Sequence, residues 1–249
     1  MNNTVKKFVI VSTHHLYCQY PALSNHYLTF VQGNALWAMG RMDTHPRRMT
    51  PEYQNIGSNS LSADGKTIAF VANNDLYVIP VNGCAERQVT FLNAPMAIIQ
   101  WRDANTIVIA SSHNHPFKQS QAHTVCIKTG HVAPIPLGPC TWMDMSRDHH
   151  CVIQRHGYGY PSWQRYTGGT AGQLWVKTNT SDCFKRILSH IKHNMMHPCI
   201  VGTRIYFLSD HTGVGNIHSC TLDGDDLRQH THHDAFYAQH LRCWDNELV

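Results

Sequence analysis

The chain has 249 residues, of which 42% are hydrophobic and only 14% charged, and its net charge is +4 with histidine neutral. This length allows one large all-β domain or two ordinary domains, and the low charge speaks against long surface helices. No run of Lys or Arg exceeds two residues. The basic stripe of a nucleic-acid-binding protein is therefore missing, and we predict no nucleic-acid partner.

The N-terminal segment begins like a signal peptide, with two lysines before an apolar run. The run, residues 8–11, is too short for the apolar core of such a peptide. No stretch approaches the ~20 apolar residues of a transmembrane helix. Nine scattered cysteines without a Cys-x-x-Cys pair indicate reduced thiols rather than a disulfide framework. We therefore expect a cytoplasmic protein with no membrane partner.

Pairs of short apolar segments recur along the chain, with the β-branched and aromatic content of strands. The first members are YLTFV (27–31), TIAFV (67–71), TIVIA (106–110), HCVIQ (150–154) and RIYFL (204–208). The second members are ALWAM (35–39), DLYVI (75–79), TVCIK (124–128), QLWVK (173–177) and NIHSC (216–220). Three pairs are followed by a polar segment that ends in Thr: RRMT (47–50), RQVT (87–90) and RQHT (228–231).

The spacing of these pairs predicts an all-β fold. Equivalent residues Phe30, Phe70 and Ile109 are 40 and 39 residues apart. A repeat of about 40–45 residues with about four short strands is typical of a β-propeller blade. The longer interval between Ile153 and Phe207 holds a glycine-rich insertion between the two central strands of the fourth blade. No helical periodicity is present, and the Pro- and Gly-containing segments APIPLGP (133–139) and RHGYGYP (155–161) are predicted loops.

Five blades are visible, which predicts an incomplete six-bladed propeller. We divide the chain into an N-terminal extension, residues 1–19, and a propeller domain, residues 20–249, truncated before or within the sixth blade. After His240 the chain reads LRCWDNELV, and the expected strand does not follow. A five-bladed closure is the alternative, and FVIV (8–11) is a suitable closing strand.

Three stretches carry a family resemblance. LSADGKTIAFVANNDLYVIPVNGCAERQVT (61–90) is similar to a blade of the tricorn protease and TolB-type propellers. WQRYTGGTAGQLWVK (163–177) resembles the Trp-x-x-Tyr-x-Gly-Gly-Thr-x-Gly-x-x-Trp-Ile segment of the tricorn N-terminal propeller. RIYFLSDHTGVGNIHSCTLDGDDLRQHTHHDAFYAQH (204–240) resembles the blade that follows it. The resemblance covers roughly residues 20 to 240 and points to the six-bladed N-terminal propeller of the tricorn protease family.

The resemblance implies a function in proteolysis. Tricorn proteases are large cytoplasmic serine peptidases that degrade oligopeptides and assemble into hexamers, with propellers thought to guide peptides to the active site. The catalytic region of the family lies C-terminal to this propeller and is absent from the chain. The resemblance thus implies a peptide-guiding or assembly module without its own active site. Its expected partners are peptides, further copies of the chain, or the other peptidase domains. The alternatives are a stand-alone TolB-like binding propeller and a non-functional truncated gene product.

Residue patterns give no independent sign of a catalytic, cofactor or metal site. The glycines of 163–177 precede a strand and lack a Gly-Lys-Ser/Thr, so we predict turns with positive φ rather than a phosphate loop. The stretch His230-Thr231-His232-His233-Asp234 has metal-ligand residue types but no Cys partner at fixed spacing, and solvated loop histidines are the expectation. Gly-x-Ser-x-Gly and His-Glu-x-x-His are absent, so we predict no catalytic residue, cofactor or metal.

The aromatic residues fall into two groups. Trp37, Tyr77 and Trp175 recur at one blade position, which predicts packing between neighbouring blades. Trp101, Trp142 and Trp163 lie at non-equivalent positions, so we predict that they are exposed and available to bind peptide. Asp64, Asp210 and Asp223 are predicted turn residues.

Overall fold

The computed structural model describes residues 17–157, 164–181, 183–245 and 247–249. All regular structure in these residues is β, so none of them forms a helix that could span a bilayer. The chain divides into two compact units, the first formed by Met1–Gly138 with Glu247–Val249 and the second by Pro139–Asn246. The predicted closing strand, residues 8–11, lies outside the described residues.

The first unit contains three four-stranded antiparallel blades. Blade 1 comprises β1 (Gln19–Leu23), β2 (Tyr27–Gln32), β3 (Ala35–Gly40) and β4 (Arg47–Arg48). Blade 2 comprises β5 (Ile56–Leu61), β6 (Thr67–Ala72), β7 (Asp75–Pro80) and β8 (Arg87–Gln88). Blade 3 comprises β9 (Met96–Asp103), β10 (Thr106–Ser111), β11 (Gln121–Cys126) and β12 (Val132–Pro139).

The second unit contains two further blades of the same topology. Blade 4 comprises β13 (Trp142–Met145), β14 (Cys151–Arg155), β15 (Gln173–Lys177) and β16 (Lys185–Arg186). Blade 5 comprises β17 (Met195–Val201), β18 (Arg204–Ser209), β19 (Asn216–Thr221) and β20 (Arg228–Gln229). Two short strands follow, β21 (Cys243–Trp244) and β22 (Glu247–Leu248). Each blade is a meander in chain order, so the predicted all-β propeller of four-stranded blades is confirmed.

The two central strands of each blade form its core because their apolar runs are continuous. Phe30, Phe70, Ile109, Ile153 and Phe207 occupy the same position in the second strands of the five blades and are all fully buried. Side chains of blades 1 and 2 share one apolar cluster, those of blades 2 and 3 a second, and those of blades 4 and 5 a third. The repeat therefore buries its apolar faces between successive blades.

Two details of the strand prediction were wrong. The segment APIPLGP, predicted as a loop, belongs to β12, where Pro134 and Pro136 are exposed on the outer strand of blade 3. Proline is tolerated there because, on an edge strand, a backbone N–H that faces away from the neighbouring strand makes no hydrogen bond within the sheet. The third strand of blade 3 spans Gln121–Cys126 instead of 124–128. Of the predicted loop 155–161, Arg155 ends β14 and residues 158–161 lie outside the described part.

The predicted packing of the recurring aromatic position is confirmed for one residue. Tyr77 stacks on Phe70 with ring centroids 5.5 Å apart and joins the cluster shared by blades 1 and 2. Trp37 and Trp175 are half-buried, as Tyr77 is, but neither is among the residues that pack against the apolar clusters described above. The Trp37 indole instead donates a hydrogen bond within blade 1, and the guanidinium of Arg155 lies 4.6 Å from the centre of the Trp175 ring.

Candidate functional site

The candidate site is formed by loops at one edge of blades 4 and 5. In an antiparallel four-stranded meander, the loop between strands two and three and the loop that leaves strand four lie at the same edge. In the second unit these loops contain residues 156–157, 164–172, 187–194, 210–215 and 230–242. We call this set the loop edge. It contains the glycine-rich insertion on which the family resemblance rests.

Arg165 attaches the glycine-rich loop to blade 5. Its backbone N–H donates to Asp210 Oδ2 at 2.7 Å, and its guanidinium Nε donates to the Gly213 carbonyl oxygen at 3.1 Å. Asp210 is buried directly after β18, and burial raises the pKa of its carboxyl group. Within the loop, the hydroxyls of Tyr166 and Thr170 are hydrogen-bonded at 3.1 Å. The loop is thereby held in one position against its neighbour.

Gly172 makes a second attachment where the loop enters β15. Its N–H donates to Asn194 Oδ1 at 2.9 Å, and its carbonyl accepts a hydrogen bond from the Met195 N–H at 3.1 Å. A Cβ atom at this position would lie 2.5 Å from the Met195 carbonyl oxygen. Glycine is therefore needed for close backbone approach between blades 4 and 5.

The predicted reason for these glycines was wrong, although the prediction of a structural loop is confirmed. Gly168, Gly169 and Gly172 do not have positive φ angles. Positive φ occurs instead at Gly157 and at Arg165. A strand follows the loop, so the helix N-terminus that a phosphate-binding loop requires is not formed here.

Two histidines of blade 5 pack against each other, one in the loop edge and one on β19. The rings of His211 and His218 have centroids 4.4 Å apart, and His211 Nδ1 is hydrogen-bonded to Ser209 Oγ at 3.0 Å. Burial lowers the pKa of His218 to about 4 and also lowers the pKa of His211. Both rings are therefore neutral near pH 7 and add packing surface rather than charge.

The stretch 230–234 is a connecting segment rather than a convergent ligand set. The His230 ring is hydrogen-bonded to Ser219 Oγ at 2.7 Å, whereas the His233 N–H donates to Asn216 Oδ1 at 2.8 Å. His232 and Asp234 are exposed. Within the described ranges, no group of three or more His, Cys, Asp or Glu side chains is placed to hold a metal ion.

The prediction that the non-equivalent tryptophans are exposed was wrong for Trp142, whereas Trp101 keeps part of its surface exposed. Trp142 is 6% exposed and lies between the Arg242 guanidinium, 4.1 Å from its ring centre, and the His197 ring at 4.6 Å. Trp101 is half-buried against the cluster of blades 2 and 3, and its indole donates to the Ser60 carbonyl oxygen at 3.2 Å. Trp163 lies outside the described residues.

A separate open groove of about 600 Å³ lies between loops of blades 1 and 2 in the first unit. Its charged side chains are engaged in local contacts. Arg41 forms an ion pair with Glu247 and donates from Nε to the Ser24 carbonyl oxygen, and Asp64 accepts from Ser62 and from the Lys66 N–H. The loop edge of the second unit therefore remains the stronger candidate.

Comparison with known proteins identifies the family. The family model described as the tricorn protease N-terminal β-propeller domain matches residues 15–249. The chain belongs to this tricorn N-terminal propeller family.

Relatives named as tricorn proteases share most of the chain. A tricorn protease homolog of Saccharolobus solfataricus is 29% identical over 242 residues, which is 94% of this chain and 22% of that protein. The chain thus spans about a fifth of the length of this relative. A protein named as a tricorn-like protease N-terminal subunit, from Sulfurisphaera tokodaii, is 26% identical over 169 residues, which is 64% of this chain and 86% of that protein.

Solved structures agree with this assignment. The crystal structure of the tricorn protease superposes with a TM-score of 0.81 and 27% identity, covering 90% of this chain and 23% of that one. TolB from Acinetobacter baumannii gives a TM-score of 0.65 at 13% identity, over 84% of this chain and 53% of that one. The TolB likeness shows the fold alone.

The residues that fix the tricorn-type loop were only partly accessible from sequence. Asp210 was predicted as a turn residue, and its second role as acceptor for the Arg165 N–H was missed. Asn194 was missed altogether. The available signal for Asn194 is its position directly before the buried strand β17, since an amide there can bond a neighbouring backbone group.

Proposed function

We propose that this chain is the N-terminal propeller portion of a cytoplasmic tricorn-like serine peptidase. In this proposal it guides peptides and contributes to assembly, and catalysis takes place in other domains or in another chain. Support comes from the family match over residues 15–249 and from a relative named as an N-terminal subunit. The sequence patterns of a complete hydrolase site, such as Gly-x-Ser-x-Gly, are not in the chain.

The structural feature that supports this proposal best is the attachment of the glycine-rich loop to blade 5. The hydrogen bonds of Arg165 to Asp210 and of Gly172 to Asn194 fix the loop between two blades. A surface that is already ordered loses little conformational entropy when a partner binds. The same edge presents Phe236, which is 62% exposed and has its ring centroid 4.5 Å from that of His233. An aromatic group of this kind suits contact with a peptide or a peptidase domain.

The proposal is tested first by the size and partners of the native protein. An immunoblot against residues 163–177 in the source cells gives the mass of the polypeptide that carries this segment. We expect either a band far above the 28.3 kDa of this chain or a band at that mass with a serine peptidase that copurifies. A lone monomer at this mass would favour a stand-alone binding propeller. Absence of any band would favour a non-functional gene product.

A loop variant tests the site. Arg165→Ala removes the guanidinium bond to Gly213 while the backbone bond to Asp210 remains. We expect recovery of the copurified peptidase to fall about tenfold, which corresponds to about 1.4 kcal/mol of binding free energy. Lys192→Ala is the matched control, since Lys192 is an exposed cation of the same edge that bonds only the nearby Ser189 carbonyl oxygen. Equal recovery with both variants would remove the loop edge from the proposal.

A further inference from the structure

The loop edge of the second unit is rich in histidine. It holds eight of the 20 histidines of the chain: His156, His190, His193, His211, His230, His232, His233 and His240. Two histidines lie in the corresponding loops of blades 1 to 3, which span residues 33–34, 49–55, 73–74, 89–95 and 112–120. The enrichment is therefore a property of blades 4 and 5 and does not follow from the fold.

The loops that carry these histidines are joined through residues 210–215. The Gly213 carbonyl oxygen accepts hydrogen bonds from Arg165 Nε at 3.1 Å and from the Tyr237 hydroxyl at 3.4 Å. The glycine-rich loop and the segment that leaves blade 5 are thus fixed to the same loop. Residues 187–194 are tied to the glycine-rich loop through the Asn194 amide. The histidines therefore belong to one continuous surface.

The fixed charge that this surface presents to solvent is mainly positive. Of its two acids, Asp210 is buried, which leaves Asp234 as the exposed one. Of its three Arg and Lys residues, Arg242 is buried and Lys192 donates to a backbone carbonyl of its own loop. Arg165 is exposed, and within the described ranges its Nη atoms form no hydrogen bond. Its guanidinium can therefore take up an external carboxylate.

The histidines of 187–194 are open to such an anion. His190 is exposed and His193 is half-buried. Asp210 and His211 interact electrostatically with His193, but Asp210 is buried, and burial lowers the pKa of His211 and keeps its ring neutral near pH 7. Lys192 lies between the two histidines in the sequence and adds a positive charge to this loop. No exposed acid of this loop competes for the two rings.

The segment that leaves blade 5 adds two more accessible histidines and an aromatic side chain. His232 is exposed and His233 is half-buried, and the exposed Asp234 follows them directly. Phe236 is 62% exposed, and its ring centroid lies 4.5 Å from that of His233. A single acid thus faces a surface that combines imidazole N–H donors with an apolar ring.

We propose that the loop edge binds acidic peptides, with Arg165 and the accessible histidines contacting Asp or Glu carboxylates and Phe236 contacting an adjacent apolar side chain. The inference rests on the proposed function and specifies the ligand of the same edge. Histidine gains a positive charge as the pH falls below neutrality, and a nearby carboxylate stabilises the charged form. Binding therefore takes up protons and becomes tighter between pH 8 and pH 6.

The test uses the whole chain and isothermal titration calorimetry with three peptides that carry an acetyl and an amide end. The probe is Glu-Glu-Phe-Glu-Glu, and the matched peptides have Gln or Lys in place of every Glu. We expect the Glu peptide to bind at least about tenfold more tightly than the Gln peptide at pH 6.5 in low salt, and the Lys peptide not to bind. The affinity for the Glu peptide should fall about fivefold from pH 6 to pH 8.

Histidine variants separate this surface from other cationic parts of the chain. His190→Asn combined with His232→Asn should remove most of the pH dependence, since both side chains are exposed and are lost without disturbing a buried contact. His149→Asn is the matched control. His149 is also exposed, lies in the loop between β13 and β14 at the opposite edge of blade 4, and has a positive φ that Asn tolerates. We expect this control to bind as the parent chain does.

Equal affinity for the Glu and Gln peptides would overturn the inference, and so would an affinity independent of pH. Displacement of the Glu peptide by an oligothymidylate at a similar concentration would assign the surface to phosphate polymers and overturn it as well. These failures are distinguishable from failure of the proposed function, because copurification of a serine peptidase does not depend on the acidity of the peptide. A peptidase that copurifies while the Glu peptide does not bind would remove the acidic ligand alone.

Discussion

At the scale of single residues, the recurring Thr after the basic segment has a defined role. Thr90 Oγ1 accepts a hydrogen bond from the Leu76 N–H at 2.9 Å and donates to Asp75 Oδ1 at 2.8 Å. In blade 5, Thr231 does the same with Ile217 and Asn216. This hydroxyl satisfies a backbone donor of the third strand where the two-residue fourth strand does not reach it.

Thr90→Val should therefore lower the free energy of unfolding. It leaves the buried Leu76 N–H and one oxygen of Asp75 without this partner, which costs about 1–3 kcal/mol. Thr50→Val should cost less. Thr50 Oγ1 also accepts a hydrogen bond from the Leu36 N–H, but the residue of blade 1 that corresponds to Asp75 is Ala35, which cannot accept one from the hydroxyl through its side chain. Urea unfolding of the two variants checks the order. Equal losses would contradict the role of Asp75.

A second prediction at this scale compares two glycines of one loop. Gly172→Ala places a methyl group 2.5 Å from the Met195 carbonyl oxygen, so the backbone of blade 4 or 5 must shift. We expect a loss of about 1–3 kcal/mol in unfolding free energy. Gly169→Ala is the matched control, since no atom lies within 4 Å of the added carbon and φ is not positive. A neutral Gly172→Ala would show that the close approach is not needed.

At the scale of elements, the blades differ in how their outer edges are protected. The outer strands of the other four blades are two residues long and rich in Arg and Lys. Blade 3 instead ends in the eight-residue β12, with Pro134 and Pro136 exposed at alternate positions. Short strands, charges and proline all prevent a free edge from pairing with another chain.

Replacing both prolines of β12 should expose a pairing edge. Pro134→Thr with Pro136→Thr restores two N–H donors that point away from β11, and we expect self-association as the protein concentration rises. Light scattering over a concentration series measures it. The matched control is Pro134→Lys with Pro136→Lys, which restores the same donors but adds charges that oppose pairing. If both variants stay monomeric, the prolines do not protect the edge.

At the scale of the whole molecule, neutral histidines make stability depend on pH. Burial lowers the pKa of His197 to about 3 and of His218 and His240 to about 4, all three in the second unit. Histidines in the unfolded chain have a pKa near 6.5, so below that pH they bind protons while the buried histidines of the folded protein stay neutral. Stability is therefore complete above about pH 6.5 and falls as the pH drops toward 4.

We expect the urea midpoint to fall steadily from pH 7 to pH 4.5, with tryptophan fluorescence as the probe. His218→Gln should make this slope shallower, because one depressed titration is removed. Burial raises the pKa of Asp144 and Asp210, and these carboxyls oppose the trend at each pH where the folded protein binds their protons and the unfolded chain does not. A midpoint independent of pH over this range would contradict the neutral buried histidines.

The sequence by itself determined the repeat, the family resemblance and the central strands. The central strands of each blade are continuous apolar runs, so their period was visible without the structure. In all five blades, the predicted start of the first central strand lies within one residue of its start in the structure. The first strands of the blades were not identified individually. Strands such as β5 and β17 contain Ser, Asn, His or Pro among the apolar residues, which hides the strand pattern.

Only the tertiary structure decided how the polar residues and the special positions are used. Three of these features join segments that are distant in sequence: the acceptor for the Arg165 N–H, the carbonyl that excludes a side chain at Gly172, and the burial of Trp142. Local propensity and periodicity report on neighbouring positions of one strand. Contacts between blades depend instead on how two sheets pack, and that information becomes available only once the blades are placed against each other.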